Sequence, residues 1–488
     1  MSFVDYPVLI LVPIITPIVG GVMLYFQNQD KKREDLILIT FTILTLISVV
    51  YFYIMFINQG EAVSIELPSL LLIGLSFKLD ILALYLGLLV SVIWLLVVVY
   101  SLDYMAGDHF RRRFYNFVLL NLSGCLGFFF AGDLLTMFLF FELLTIVSYV
   151  LVVHEESEDS IRAGNRYIFL SLIGGLGLLV STVIIYMEAG TINFATGGVI
   201  EEYSLSMAIA FFVFVFSFGI KAGIFPFHVW LPIAHPIAPS PASAILSGIM
   251  IKTGAYGILR IMYNIYDIDL IRDLGWNKIL LVIAGITIFL GSAGAIFEYD
   301  LKKRLAYSSI SQMGYILLGM SFLNVVGLVG NIFHITAHAI MKSCLFLAAG
   351  AIIYKTGKKD VRELSGIGRE MPFTMVSFSL AALAMIGIPP LNGFISKWEL
   401  SIGALQAGYP LYVGLLLLSS LMNAIYYFPI INSAFFGNTG TEASDGPELS
   451  KKMLYPIVIL AAGTIVFGLL PYNYPLTLAQ EAAELLMP

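Results

Sequence analysis

The chain has 488 residues, of which 59% are hydrophobic and only 12% are charged, and its formal net charge is −6. A soluble domain carries about 25% charged residues, so this composition excludes a soluble enzyme. The negative charge argues against nucleic-acid binding. Apolar runs of about 20 residues separated by short polar loops are typical of transmembrane helices, and we expect one all-α polytopic membrane domain over 1–488.

Taken in chain order, the apolar runs predict 14 membrane spans. Their cores are 7–26, 35–57, 79–101, 114–131, 134–153, 165–187, 206–222, 241–262, 279–297, 304–322, 326–354, 372–396, 409–434 and 453–471. The longest stretches predicted to be irregular are 58–78, 188–205 and 435–452. Residues 472–488 are predicted to form a short tail.

The seventh and twelfth spans each place glycine and proline near a lysine. Proline lacks an N–H group and clashes with the preceding turn, so we expect both spans to be broken helices. Their offset of five spans puts equivalent units on opposite sides of the membrane, as in inverted repeats. The predicted parts of the domain are three N-terminal helices at 1–110, a first inverted repeat at 111–262, a second at 276–434, and a C-terminal helix and tail at 450–488.

The basic residues predict an orientation. With the N-terminus outside, most of the 26 Lys and Arg residues fall in inner loops. These are Lys31, Lys32, Arg33, Arg111, Arg112, Arg113, Arg162, Arg166, Lys302, Lys303, Arg304, Lys355, Lys358, Lys359, Arg362, Arg369, Lys451 and Lys452. Because cytoplasmic loops are enriched in Lys and Arg, we expect a multi-pass protein of a prokaryotic plasma membrane with both termini outside.

Four lysines lie inside apolar spans, namely Lys221, Lys252, Lys342 and Lys397. Lysine can lose its proton when it is buried, whereas arginine effectively cannot. Intramembrane ionisable residues of this kind mark ion pathways. Lys221 directly precedes the first break, and Lys252 lies in the next span, whose own sequence offers no acidic partner.

Glu142 lies in the apolar segment FFELLTIVSYVLV. A carboxylate inside a membrane costs roughly 2.5 kcal/mol or more unless it is paired or protonated. Two interpretations remain open: a structural ion pair between helices, or an acidic partner that modulates Lys221. Asp133 begins the same span and is interpreted mainly as a helix N-terminal residue, with a secondary role as an accessory candidate.

His334, His338 and Lys342 recur at every fourth position in HITAHAIMK, so they share one helix face. Imidazole exchanges protons near neutral pH, and such a row suits a proton pathway. A metal site is a weaker alternative, because two histidines without a third ligand make a poor one. We expect no metal and no cofactor.

Other polar residues near the breaks are assigned with less weight. His228 is an accessory candidate for the pathway, and His235 is expected in a loop or as an entry group. Lys397 and Glu399 are two positions apart, and residues with that spacing on a helix do not face each other. Lys397 is therefore assigned to the pathway, and Glu399 is an accessory or partner-facing residue.

These motifs resemble a known family. FFELLTIVSYVLV, GIKAGIFPFHVWLPIAHPIAPSPASAILSG, DLKKRLAYSSISQMGY, HITAHAIMKSCLF and GIPPLNGFISKWEL are similar to the antiporter-like subunits of respiratory complex I, membrane-bound hydrogenases and Mrp cation/proton antiporters. The resemblance implies 14 core helices with two inverted five-helix units. It also implies a Glu142–Lys221 pair and a path from Lys252 through the histidine helix to Lys397. The terminal lysine and short C-terminus resemble Mrp D-type and hydrogenase-type subunits.

The predicted function is therefore a proton-translocating, antiporter-like subunit of a multisubunit ion-pumping membrane complex. It is expected not to be catalytic by itself, although the whole assembly is a candidate redox-driven oxidoreductase. The expected partners are other membrane subunits, the lipid bilayer and protons, with Na⁺ as a second candidate ion. Two alternatives are a quinone- or haem-binding redox subunit and a structurally required subunit that does not transport.

Overall fold

Long α-helices dominate the computed structural model, which describes residues 7–27, 30–60, 62–67, 74–437, 447–473 and 475–487. Among these residues, 11 helices are long and apolar enough to cross a membrane. This confirms the expectation of a polytopic helical membrane protein. Half of the loop predicted at 435–452, residues 438–446, lies outside the described residues.

The first part of the chain is a series of long helices interrupted by a small hairpin. Helices α1 to α6 are Val12–Tyr25, Lys31–Gln59, Ile81–Tyr104, Arg111–Phe129, Leu134–Val152 and Glu158–Ala189. Strands β1 (Val63–Leu67) and β2 (Leu75–Leu79) pair antiparallel between α2 and α3. The prediction of irregular structure at 58–78 is therefore wrong for these two strands, whose alternating side chains suit a half-buried hairpin.

The expected break in the seventh span is confirmed. Helix α7 (Leu205–Ala222) ends at Gly223, which has a φ of 69°. The chain continues through a 3₁₀ turn at Phe227–Trp230 into α8 (Leu231–Ile237). Gly223 adopts the left-handed conformation without steric cost, and its N–H closes the last turn on the carbonyl of Gly219.

The next span follows directly and is wholly buried. It consists of α9 (Ser240–Ile245) and α10 (Ile251–Arg260), joined by one π-helical turn at Leu246–Met250 and followed by another at Ile261–Ile265. A helix that is buried on every face belongs to the centre of a bundle. A short helix, α11 (Ile268–Asp273), then leads away from this span.

A second helix, which is buried from Gly327 to Ile352, lies beside the first. Helices α12 to α15 are Trp276–Phe297, Leu301–Ser321, Val325–Thr356 and Ile367–Glu370. The histidine helix α14 starts at Asn324, whose side chain accepts from the Gly327 N–H, and ends at Gly357. It packs against α13, α9 and several later helices, so its side chains face protein in all directions.

The second expected break is also confirmed. Helix α16 (Pro372–Ile386) ends at Gly387, which has a φ of 93°, and α17 (Asn392–Gln406) begins after a short turn. Two further long helices follow, α18 (Pro410–Phe436) and α19 (Lys451–Leu469).

The C-terminal residues form a helix, so the prediction of a tail at 472–488 is wrong. Helix α20 (Leu476–Leu486) buries an apolar side and packs against α14 and α3. The reason is visible in the spacing, because Leu476, Ala479, Ala482 and Leu486 recur at helical intervals. With 11 residues, this helix is shorter than the roughly 20 residues that a membrane span needs.

Candidate functional site

Lys221 lies in the last turn of α7 and is buried. Its Nζ donates hydrogen bonds to Tyr167 Oη at 2.7 Å and to Thr145 Oγ1 at 3.3 Å. The ammonium also lies 5.2 Å from the centres of the Phe141 and Tyr167 rings. Two hydroxyls and two aromatic faces therefore replace part of the hydration that this group loses on burial.

Glu142 is half-buried on α5, one turn from Thr145. No ion pair joins it to Lys221 in the part of the chain that the structure describes. Its carboxylate lies instead against the backbone of Gly175 on α6. The structure thus brings the two predicted partners into one region but leaves them without a direct bond.

Lys252 is buried in α10, and its Nζ donates to the Ser247 carbonyl at 2.6 Å. That carbonyl belongs to the π-helical turn Leu246–Met250, where the regular hydrogen-bond ladder is disturbed. Ser247 Oγ also bonds Ser309 Oγ on α13 at 2.6 Å. The sequence showed that the span lacks an acid, but it did not reveal that a backbone carbonyl would hold the lysine.

Lys342 on α14 points toward α13. Its Nζ donates to the Leu305 carbonyl at 2.8 Å and to the Ser308 hydroxyl. Ser308 in turn lies 3.2 Å from Tyr427 Oη on α18. The polar serines of α13 therefore bind the lysine and also link helices.

His334 and His338 lie between the lysines, on the same side of α14. Their rings are parallel, with centroids 6.0 Å apart. His334 Nδ1 is 2.9 Å from Ser396 Oγ, and its ring stacks on Tyr315 at 5.4 Å. Neither ring nitrogen of His338 has a hydrogen-bond partner among the described residues. His338 and Lys342 are four residues apart, so they lie one turn apart on the same side of α14.

Lys397 lies on α17 but binds the end of α16. Its Nζ donates to the carbonyls of Met385 and Ile386 at 3.0 and 2.8 Å, and to Ser420 Oγ at 2.8 Å. Carbonyls at a helix C-terminus carry partial negative charge, which favours a cation there. The ammonium is also 5.2 Å from the centre of the Tyr315 ring, so Tyr315 lies between Lys397 and His334.

His235 differs from its prediction as a loop residue. It lies in α8 with 0% of its surface exposed, and its ring stacks on Phe346 of α14 at 4.8 Å. Within the described ranges, neither of its ring nitrogens finds a partner. The surrounding prolines suggested a loop, but the half-helix that follows the break folds back into the bundle and buries the imidazole.

The remaining accessory candidates lie away from the row. His228 is half-buried in the 3₁₀ turn. Asp133 caps α5 by accepting from the Thr136 N–H, as expected, and it also accepts from the Ser76 N–H of the hairpin. Burial raises the pKa of the Asp133 carboxyl, and these hydrogen bonds oppose the rise. Glu399 is half-buried next to the exposed Trp398.

Sequence reasoning missed a buried ion pair at the end of α10. Arg260 donates two hydrogen bonds to Asp80 at 2.8 and 2.7 Å and further bonds to Tyr256 and Asn264. Asp80 also caps α3. The two residues are 180 positions apart, so no local signal connects them.

The arrangement is a buried series of amines, imidazoles and hydroxyls. Several of its polar atoms have no protein partner within the described residues, namely both ring nitrogens of His235 and His338, Nε2 of His334 and both amide atoms of Gln312. Such atoms in a protein interior are usually satisfied by ordered water. No cluster of three or more metal-ligating side chains was found in the described residues. The chemistry that this set supports is proton transfer.

Comparisons with known proteins agree with this chemistry. The family model described as "NADH:quinone oxidoreductase/Mrp antiporter, TM" matches residues 131–423. A second model, "NADH-Ubiquinone oxidoreductase (complex I), chain 5 N-terminus", matches residues 68–115.

Individual relatives cover most of the chain. The N-type subunit of the NADH-quinone oxidoreductase of Desulforudis audaxviator is 34% identical over 418 residues, which cover 81% of this chain and 82% of that protein. The D-type subunit of the Na(+)/H(+) antiporter of Alkalihalophilus pseudofirmus is 29% identical over 492 residues, covering 98% and 97%. A chain in the structure of the Mrp complex from Dietzia sp. DQ12-45-1b matches with a TM-score of 0.89 and 26% identity, over 98% of this chain and 97% of that one.

Proposed function

Because the chain belongs to the family of membrane subunits shared by NADH:quinone oxidoreductases and Mrp antiporters, we propose that it is a proton-translocating, antiporter-like subunit of a multisubunit ion-pumping membrane complex. The observation that carries this proposal is the buried row of ionisable groups on α7, α10, α14 and α17. Intramembrane ionisable residues are costly and are found mainly where they serve transport.

In this proposal the proton path runs from Glu142 and Lys221 to Lys252, then along the histidine helix to Lys397. When the carboxylate of Glu142 is near, it stabilises the charged form of Lys221, and when the two separate, the buried lysine releases its proton more readily. Imidazoles and hydroxyls pass the proton between the amines, with ordered water bridging the gaps. Lys342 holds the inner part of the row, and His228, Asp133 and Glu399 are accessory groups.

The proposed architecture has 14 spans with two inverted five-helix repeats at 111–262 and 276–434. Beyond the 11 helices already counted, α4, α13 and the α16–α17 pair supply the additional spans. The turns at the two breaks support the repeat. In each turn, the isoleucine that follows the glycine donates its N–H to a carbonyl in the last turn of the helix, at 3.1 Å. The pairs are Ile224 with Gly219 and Ile388 with Leu383. The parts at 1–110 and 450–488 flank these repeats.

The proposed setting is a prokaryotic plasma membrane with both termini outside, which the distribution of lysine and arginine supports. The proposed partners are other membrane subunits, since the solved relative belongs to a complex. Half-buried Glu142 and Glu399 suit contact with such subunits. Protons are the proposed cargo, and Na⁺ is a second candidate because one relative is named as part of a Na(+)/H(+) antiporter.

The test replaces the two residues at the start of the path. Lys221→Ala and Glu142→Ala are each expected to abolish coupled formation of a pH gradient while the complex still assembles. The gradient is followed with a pH-sensitive dye in membrane vesicles, energised in turn by a sodium gradient and by a respiratory electron donor. Lys278→Ala, at an exposed position, is the matched control. Full pH-gradient formation by either pathway variant at normal subunit levels would refute the paired site.

A further inference from the structure

Helix α6 contacts both members of the Glu142–Lys221 pair. The Lys221 ammonium is bound by Tyr167 of this helix, and the Glu142 carboxylate lies against Gly175 of the same helix. Among the described residues the acid and the amine share no ion pair, so the contacts with α6 take the place of a contact between them.

Tyr167 is held in a fixed position to receive the ammonium. It is 1% exposed, and its ring lies 4.9 Å from that of Trp230 in the broken segment. Trp230 Nε1 donates to the carbonyl of Ile220 at 2.8 Å, which is the residue before Lys221. The Trp230 indole thus contacts both the Tyr167 ring, whose hydroxyl accepts from the lysine, and the backbone just before Lys221. This arrangement fixes where the ammonium lies.

Gly175 provides the space in which the carboxylate lies. A Cβ atom built on Gly175 would overlap Glu142 Oε1 and approach Cδ to 2.8 Å, so any larger residue would displace the side chain. The neighbouring glycines of α6 serve another purpose. A Cβ on Gly174 or Gly177 would meet α7 instead, at Ser217 and its surroundings.

The two contacts lie on one side of α6 at different heights. Positions 167 and 175 are eight residues apart, a spacing that returns to the same face of a helix. At 1.5 Å per residue they are separated by about 12 Å along the axis. Helix α6 therefore offers one receptor for the amine and another for the acid. The two receptors are too far apart for a single receptor to bind both groups.

We propose that α6 stabilises the separated state of the Glu142–Lys221 pair, with Tyr167 as the receptor for the ammonium and Gly175 as the receptor for the carboxylate. This inference rests on the proposed function and assigns two positioning residues to it. The separated state becomes a defined structure with its own contacts, and transport alternates between it and the paired state. The titratable groups facing Lys221 are Glu142 on α5, Tyr167 on α6 and the Cys125 thiol on α4.

Gly175→Ala tests the receptor for the acid. The added methyl group displaces the carboxylate from α6 and favours the paired state. We expect the transport rate to fall, because the separated state loses the space in which its carboxylate lies. We also expect the pH–rate profile to move to higher pH, because a lysine beside a carboxylate releases its proton only in more alkaline solution. Gly177→Ala is the matched control, since it adds the same methyl group to α6 but places it against Ser217.

Tyr167→Phe tests the receptor for the amine by a different route. It removes one hydroxyl and retains the ring that packs on Trp230, so folding is preserved. A rate loss of about fivefold is expected for the missing hydrogen bond, and the pH–rate profile is expected to move to lower pH, because the ammonium loses a hydrogen-bond acceptor. Tyr186→Phe, at an exposed position of α6, is the control. The shift in the pH profile is the decisive readout, since a purely structural defect lowers the rate at every pH alike.

The measurements use vesicles that contain the assembled complex, normalised to the amount of this subunit. If the wild-type complex moves no protons, the proposed function fails and this inference fails with it. If the wild type transports and both variants keep its rate and pH profile, the proposed function stands and the role of α6 is refuted. An alkaline shift in Gly175→Ala and an acid shift in Tyr167→Phe, both absent from the controls, support the proposal.

Discussion

The buried lysines of this protein are stabilised by oxygen atoms that carry no formal charge. Lys252 binds one backbone carbonyl, Lys342 a carbonyl and a hydroxyl, and Lys397 two carbonyls and a hydroxyl. Neutral acceptors compensate part of the cost of burying a charge, but less than a carboxylate does. A neutral amine still carries two N–H donors, so these acceptors suit the proposed relay in either protonation state of the lysine.

Lys252→Arg separates a relay from a fixed charge. Arginine keeps the positive charge and a similar length, but it effectively cannot release a proton. We expect the complex to assemble and transport to fall by roughly 10²-fold, the lower end of what a positioned proton-transfer group contributes. Proton transport in vesicles is the measurement, with Lys278→Arg as the surface control. Near-normal activity of Lys252→Arg would show that Lys252 serves as a fixed structural charge and not as a proton relay.

His338→Ala is expected to impair transport far more than His109→Ala. His338 is buried on α14, one turn from Lys342, whereas His109 is exposed in the loop before α4. Removing an imidazole from the row should cost about tenfold or more in rate, while the exposed histidine should tolerate alanine. Matched vesicles are compared at one pH. Equal rates for the two variants would remove the histidine helix from the pathway.

The sequence predicted which residue types form the row but not what holds them. The spacing of His334, His338 and Lys342 along one helix fixes their common face, and this is visible from the sequence alone. Their partners, such as Tyr315 and Ser396, come from other helices. Contacts between helices depend on packing, which no local pattern encodes. For the same reason, burial of His235 could not be foreseen from its proline-rich surroundings.

The two helix breaks use the same turn but place their lysines differently. In the first, Lys221 precedes the glycine, and in the second, Lys397 follows it and reaches back to the end of α16. Both glycines have positive φ, where L-residues with a side chain are strained. The glycine and proline pattern predicted that the helices would break. It did not predict which end of the break each ammonium would bind.

Gly387→Ala is expected to disturb the second lysine directly. A Cβ at this position would meet the Lys397 side chain, with Cδ at 2.9 Å and Nζ at 3.3 Å. Gly408→Ala is the matched control, since Gly408 has a φ of 80° but nothing within 4 Å of an added Cβ. Both should lose about 1 to 2 kcal/mol through backbone strain, but only Gly387→Ala should reduce transport. Thermal unfolding and vesicle transport are measured together, and equal transport by the two variants would contradict the prediction.

The molecule as a whole is organised around two buried helical segments, with lipid-facing helices outside them. Hydropathy predicted a polytopic helical membrane protein, because each long apolar run must satisfy its backbone hydrogen bonds within a helix to enter a membrane. It missed the hairpin and α20, which are short and lie beyond the long runs. It also missed the Arg260–Asp80 pair, which joins the start of α3 to the end of α10 and lies next to Ala482 and Leu486 of α20.

Asp80→Asn is expected to destabilise the assembled fold. Asparagine still caps α3, but it leaves the buried Arg260 without its counter-charge, at a cost of about 3 kcal/mol. Asp269→Asn, which weakens an exposed pair with Arg272, should cost less than about 0.5 kcal/mol. The midpoints of thermal unfolding of the detergent-solubilised complex are compared. Similar midpoints would show that the Asp80 contact contributes little.

The length of the row along α14 has an electrical consequence. The eight residues from His334 to Lys342 rise by about 12 Å along the helix axis, which is some two fifths of a hydrocarbon core that is ~30 Å thick. At a membrane potential of 100 mV, the electrical free energy of a unit charge changes by about 2.3 kcal/mol across the whole membrane. For a proton that moves along this row, the change is roughly 0.9 kcal/mol. The membrane potential therefore acts on the interior of this path as well as on its entrance and exit, and it shifts the balance between the two ends of the histidine helix.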